Sequence, residues 1–288
     1  MIDLKIGEYV EKGIEWLADV GSGFFDAITV GLDWIVNTFQ TILIAPHPFI
    51  IMVLFALLSY YLTSRKEGFL TKKGFKAGRG LAVFTLLGLF LLYLMGYWEE
   101  TMDTLALVIA STIIALLIGV PLGIYAARSN RAESIIRPIL DFMQTMPAFV
   151  YLIPAILFFS VGNVPGVVAT VIFSLPPAVR LTSLGIRGVQ PEVVEAAISF
   201  GATEKQLLLK VQIPLAMPTI LAGVNQVIML ALSMVVIASM VGASGLGQAV
   251  YKGILTADIG LGFEAGLGIV IIAIILDRMT QALGIQKK

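Results

Sequence analysis

The 288-residue chain contains no cysteine and a single histidine, His47, and only 13% of its residues are charged. Without thiols there is no disulfide framework, no thiolate metal site and no Cys nucleophile. One histidine excludes a zinc centre built on several imidazoles. The charge content is about half that of a soluble domain, where about 25% of residues are charged. Lys+Arg and Asp+Glu each number 19, so the formal net charge is zero and no polyelectrolyte character points to nucleic acid. No G-x-x-x-x-G-K-[ST] phosphate loop occurs, so the chain is not itself a P-loop ATPase. What it has instead is apolar length: 58% of residues are hydrophobic and the mean hydropathy is +0.95.

A helix that crosses a bilayer needs about 20 mostly apolar residues, because lipid solvates no free backbone group. Seven such blocks occur, at about 48–63, 80–97, 102–126, 138–160, 164–184, 213–242 and 260–280. The expected fold is therefore an all-α integral membrane protein. Basic residues fall between these blocks with a strong bias. Arg65, Lys66, Lys72, Lys73, Lys76 and Arg79 lie between the first two. Arg128, Arg131 and Arg137 lie between the third and fourth. Arg180, Arg187, Lys205 and Lys210 are read with the loop between the fifth and sixth, and Arg278, Lys287 and Lys288 with the tail. Only Lys5, Lys12 and Lys252 fall on the other side. Under the positive-inside rule the basic side is cytoplasmic, the N-terminus is outside and the C-terminus inside, which suits an odd number of spans.

Residues 1–45 read differently. Asp19, Asp26 and Asp33 recur every seven residues, while Trp16, Phe24, Phe25, Trp34 and Phe39 supply an apolar face. This predicts an amphipathic segment lying on the outer membrane interface. The rival reading is an eighth span from Phe24 to Ala45, which would carry Asp26 and Asp33 into lipid at about 3 kcal/mol each. The start also lacks the basic and apolar regions of a cleaved signal peptide.

No Asp, Glu, Lys or Arg sits near the middle of a predicted span; Asp141, Glu264 and the Asp277–Arg278 pair lie near predicted ends. Proton-driven carriers and voltage sensors place ionisable groups at depth, so neither is expected. If the protein pumps, its energy comes from a partner. Gly119/Gly123 and Gly262/Gly266 are spaced four apart, which permits close helix approach, either as ordinary bundle packing or as a specific contact between copies. The fourth block is polar and bent, with Gln144, Thr145, Met146, Pro147, Tyr151 and Pro154, and is a candidate pathway wall or a packing feature.

The loop from Gln190 to Pro214 has the local grammar of helix–turn–helix. Pro191 suits the first helical position, and Glu192 and Glu195 complement the helix dipole. Gly201 offers a stop, and Thr203 with Gln206 has capping-box spacing for a second helix. Val193, Val194, Ala197 and Phe200 give the short helix apolar and small groups. Such an element docks in a groove of another protein or lies on the lipid interface.

Glu195-Ala196-Ala197, then Gly201 after three residues and Val211-x-Ile213-Pro214 after nine more, resembles the EAA signature of ABC importer permeases. That family's pattern ends I-x-L-P, so the chain departs by Val for Ile and Ile for Leu. The runs Leu140–Tyr151, Ala222–Gln226 and Ala231–Gly247 further resemble permease subunits of glycine betaine/proline betaine importers. The similarity extends from about residue 97 to the C-terminus, and the leading segment and two extra spans match longer members of that group. The resemblance implies a division into an interfacial segment (1–45), two peripheral spans (46–98) and a five-helix type I (MetI-like) core (99–288) with a coupling loop at 188–214. It implies a role in ATPase coupling for Glu195, Ala196, Ala197 and Gly201, and Glu192 and Thr203, which shape the same helix–turn–helix, are taken with them. The pathway candidates are Gln144, Thr145, Met146, Pro147 and Tyr151 of the bent fourth block, with Asn225, Ser233 and Met234 in the two later runs.

The implied partners are a second copy, two cytosolic ABC ATPases that hold ATP and Mg, and an extracytoplasmic binding protein with an aromatic cage for the quaternary ammonium. Anionic lipid against loop 65–79 is a further expected contact. No cofactor is expected in this chain. The implied setting is a bacterial or archaeal cell membrane, and the implied function is osmoprotectant uptake by a permease that is not an enzyme. Choline or carnitine transport, and a membrane scaffold that docks a cytosolic partner without transporting, are the alternatives.

Overall fold

The computed structural model describes residues 6–67 and 72–283, and every regular element among them is helical. Residues 68–71 of the basic loop, Lys5, Lys287 and Lys288 lie outside the described residues, as do the side chains of Lys66, Lys72 and Lys73. Two leading helices, α1 (Ile6–Val20) and α2 (Ser22–Ile44), precede a hairpin of α3 (Pro48–Glu67) and α4 (Lys72–Leu94). The core comprises α5 (Trp98–Arg128), the pair α6 (Asn130–Thr145) and α7 (Ala148–Phe159), then α8 (Asn163–Arg187), α9 (Pro191–Ser199), α10 (Glu204–Gln206), α11 (Ile213–Ser239), α12 (Leu246–Thr256) and α13 (Ile259–Leu283). Seven of these helices are long and apolar enough to cross a membrane, and α6 with α7 would add one broken span.

Small residues set the centre of the bundle. A Cβ at Gly119 would come within 2.5 Å of the Cβ of Ala178, and one at Gly123 within 2.6 Å of the Cβ of Thr182. The rising numbers on both helices make α5 and α8 parallel neighbours in close contact. Their shared end is fixed by Arg187, whose guanidinium donates to the Ala126 carbonyl and the Asn130 side-chain oxygen, each at 2.8 Å. Parallel neighbours need a return crossing, and α6 with α7 provides it. α11 runs antiparallel to α8: Gly223 faces Leu181, while Gly166 faces Ala238. α13 packs along α11, and α4 packs along α13 through Gly88 against Ile271. The α3–α4 hairpin is tied internally by the Ser59 and Thr85 hydroxyls, 3.1 Å apart. Large apolar side chains such as Leu54, Leu57, Leu87 and Leu94 face outward, as a bilayer permits.

Two expectations are refined. The predicted continuous span 138–160 is two helices meeting at 99°, because the chain leaves helical geometry at Met146 (ψ 134°) and Pro147 (ψ 138°). Proline disfavours the α conformation in the residue before it and cannot donate its own backbone hydrogen bond. Residues 22–44 form one helix that length and hydropathy alone would qualify as a span. Its two ends nevertheless meet the same end of the bundle. Phe25 stacks on Phe158 near the end of α7, with ring centroids 4.4 Å apart. The Gln40 amide donates to the Asp103 carboxylate at 2.9 Å and to the Ser244 hydroxyl at 3.2 Å. Asp103 and Ser244 lie at the end opposite Arg187, so both ends of α2 are held at that end of the core.

Candidate functional site

The connection from α8 to α11 is built from local signals that the residues spell out. Pro191 opens α9, with Glu192 in its first turn. The helix ends in a Schellman turn: the Ala202 amide donates to the Ala197 carbonyl at 3.1 Å and the Gly201 amide to the Ile198 carbonyl at 2.8 Å. Gly201 holds φ at +81°, where a Cβ is unfavourable. Thr203 then caps α10 reciprocally. Its hydroxyl accepts from the Gln206 amide at 3.3 Å, and its own amide donates to the Gln206 side-chain oxygen at 3.0 Å. A π-helical turn, Leu207–Gln212, follows before Pro214 enters α11. The wider turn accommodates a proline that cannot donate to the preceding turn, and such π-turns cluster at functional sites.

No residue of α9 is buried. Glu192, Glu195 and Ala196 are exposed, Ala197 is half-buried, and Phe200 is 92% exposed at the corner. Val193 lines a groove of about 460 Å³ with Val189, Leu184, Leu215 and Thr219. The elbow thus presents an acidic helix, an unpaired aromatic corner and an apolar groove, on the end of the bundle that carries Arg128, Arg131 and Arg187. Glu204 anchors it to the core by pairing with Arg128.

The pathway candidates divide. Gln144, Thr145 and Pro147 are exposed at the α6–α7 break, and Met146 is half-buried there. The Tyr151 hydroxyl donates to the Met143 carbonyl and so bridges that break. Ser233 is exposed on α11, on one stripe with Ala222, Gln226 and Met229. Met234 is 0% exposed and packs with Leu152, Ala169 and Val241, so it is a core residue and does not line an open path. Asn225 turns toward α13, where its amide donates to the Asp277 carboxylate at 2.9 Å. Sequence reasoning missed three pairings here. Arg180, read with the loop, sits two turns inside α8 and pairs with Asp141 of α6. The others are Arg128–Glu204 and Asn225–Asp277. Arg180 and Arg187 share a helix face at a spacing of seven, which was the available signal for the first.

A family model described as the inner membrane component of binding-protein-dependent transport systems matches residues 119–284. The chain belongs to that family. The permease is 49% identical over 281 residues to the glycine betaine/proline betaine transport system permease protein ProW of Escherichia coli, covering 98% of this chain and 75% of that one. It is 47% identical to the glycine betaine transport system permease protein OpuAB of Bacillus subtilis, covering 99% and 96% respectively. It is 52% identical to the glycine betaine/carnitine transport permease protein GbuB of Listeria monocytogenes, covering 97% and 95%. Its fold resembles a chain of the inward-facing MetNI methionine ABC transporter with a TM-score of 0.58, at 22% identity over 63% of this permease and 93% of that chain. The EAA-type elbow lies inside the matched region, as do all the pathway candidates. Like its relatives the permease is a transport subunit of a multi-pass inner membrane system, and it is not an enzyme.

Proposed function

We propose that the permease forms the translocation path of an ATP-driven importer of glycine betaine or a related compatible solute. The observation that carries this reading is near-50% identity over almost the whole chain to permeases whose names specify glycine betaine. The exposed α9 elbow supports the mechanism: it is a short, capped helix with no buried face, suited to a groove on a cytosolic ATPase. In this account two ATPases hold ATP and Mg, and their closure moves Glu192, Glu195, Ala196, Ala197, Gly201 and Thr203 as one unit. An extracytoplasmic binding protein delivers solute to the opposite end, where α2 is laid across the core. Two copies pair so that the α6–α7 break and the exposed stripe of α11 through Ser233 face a shared path. The basic end, including the C-terminus, is cytoplasmic and the N-terminus is outside. Residues 1–45 act as an interfacial strap, 46–98 as a peripheral hairpin, and 99–288 as the transport core.

The 52% identical relative is named for carnitine as well as glycine betaine, so carnitine is the specific rival solute. Competition resolves the two. Labelled glycine betaine uptake is measured in proteoliposomes of the assembled complex, with unlabelled glycine betaine, carnitine, choline or an uncharged amino acid as competitor. Strong competition by glycine betaine and weaker competition by carnitine and choline is expected. Equal competition by every compound, or none by glycine betaine, contradicts the assignment.

A further inference from the structure

At the basic end a pocket of about 400 Å³ opens between α5, α6 and α8, apart from the exposed elbow. Its polar lining includes Glu133, Arg137, Arg180, Ser183 and Arg187. Ser183 is only 7% exposed, and its hydroxyl has no partner. Elsewhere on α8 the choice is different: Thr170 and Ser174 return their hydroxyls to the helix's own carbonyls at 2.6 and 2.7 Å. A buried hydroxyl left without a bond costs about 1–3 kcal/mol, so a partner is expected.

The cations around it are not all used. Arg187 is occupied by Ala126, Asn130 and the Glu133 carboxylate, the last at 3.0 Å. Arg180 pairs with Asp141 through one terminal nitrogen, but its buried Nε has no partner. Arg137 is exposed and bonds to no group among the described residues. With Glu133 neutralised by Arg187, the free donors in the pocket are therefore those of Arg137, Arg180 and Ser183. Together they suit an oxyanion. The remaining lining is apolar, from Ile136, Leu140, Val179, Leu181 and Leu184, and Leu184 is itself 62% exposed. A site that sets cationic donors beside an apolar wall with one exposed leucine fits an amphiphile.

We propose that this pocket binds the phosphate group of an anionic phospholipid, with Arg137, Arg180 and Ser183 as its donors. The readout is lipid retention, so failure of this assignment is separable from failure of the transport reading. Native mass spectrometry of the full-length protein, titrated with phosphatidylglycerol or phosphatidylcholine, tests it. Wild-type protein retains phosphatidylglycerol preferentially, a result that needs no substitution. Arg137→Gln weakens retention about fivefold, the worth of one basic residue near an anionic surface. Arg137→Lys largely restores it, and Ser183→Ala weakens it without loss of thermal stability. Equal retention of both lipids by wild-type protein, or unchanged retention in Arg137→Gln and Ser183→Ala, overturns the proposal. Stabilisation by millimolar inorganic phosphate with no lipid preference also overturns it, in favour of a soluble anion.

Discussion

Arg128, the last residue of α5, pairs with Glu204, the first residue of α10. The contact joins the end of a core helix to the restart after the elbow, yet both side chains are substantially exposed. Exposed pairs contribute about 0–1 kcal/mol. Arg187 differs: three acceptors on the turn between α5 and α6 converge on its guanidinium. Arg128→Gln is expected to leave the thermal unfolding midpoint of the detergent-solubilised permease nearly unchanged. Arg187→Ala should cost about 2 kcal/mol, because it strips a charged donor from a carbonyl and a carboxylate. Equal effects of the two substitutions would contradict this division between anchor and core.

Gly201 separates conformation from contact. A Cβ there meets nothing within 4 Å, so any cost of substitution comes from its φ of +81° alone. Asparagine tolerates that conformation and a β-branched residue does not. Gly201→Asn should therefore retain ATPase co-purification and uptake, whereas Gly201→Val should lose both. Loss of the Thr203 cap by Thr203→Ala should speed amide exchange across 203–207, consistent with a cap worth about 1 kcal/mol. If Val and Asn at 201 behave alike, turn geometry is not what the elbow needs.

The two glycine pairs with the same spacing should respond differently. Gly119 and Gly123 abut α8, so Gly123→Leu must force apart helices whose Thr182 Cβ would lie 2.6 Å from even a methyl group. Overpacking of this kind costs about 1–3 kcal/mol or more. Gly262 and Gly266 have nothing within 4 Å, and alanine at both should be tolerated by the folded chain. Thermal unfolding of the two double-alanine variants checks the contrast; a larger loss for the Gly262/Gly266 pair would refute it.

The spans were legible because a bilayer demands long apolar runs, and the elbow was legible because caps and stops are local. Pro191, Gly201, Thr203 and Gln206 act within a few residues of themselves, and each adopts the predicted role in the chain's local geometry. Placement of α2 was not legible from hydropathy, since residues 22–44 are apolar enough for either reading. Its position is set by Gln40 with Asp103, 63 residues away, and by Phe25 with Phe158. Ser233 and Met234 illustrate the same limit on one helix. Neighbours point about 100° apart on an α-helix, and only the packing of Leu152 and Ala169 decides which of the two is core. The bend at Met146–Pro147 was signalled by its proline, but its 99° depends on how α7 seats against α8 and α11.

The central claim is that solute movement through this permease is driven by a cytosolic ATPase acting on the α9 elbow. Phe200 gives the most direct measurement, because it is 92% exposed and Phe200→Ser should cost the isolated fold almost nothing. Glycine betaine accumulation and ATP hydrolysis are followed together in proteoliposomes containing the assembled importer, its binding protein and internal ATP. The account predicts ATP-dependent accumulation by wild-type protein, and its loss in Phe200→Ser with unfolding temperature unchanged. Accumulation without ATP, or full ATP-driven uptake by the serine variant, would contradict it.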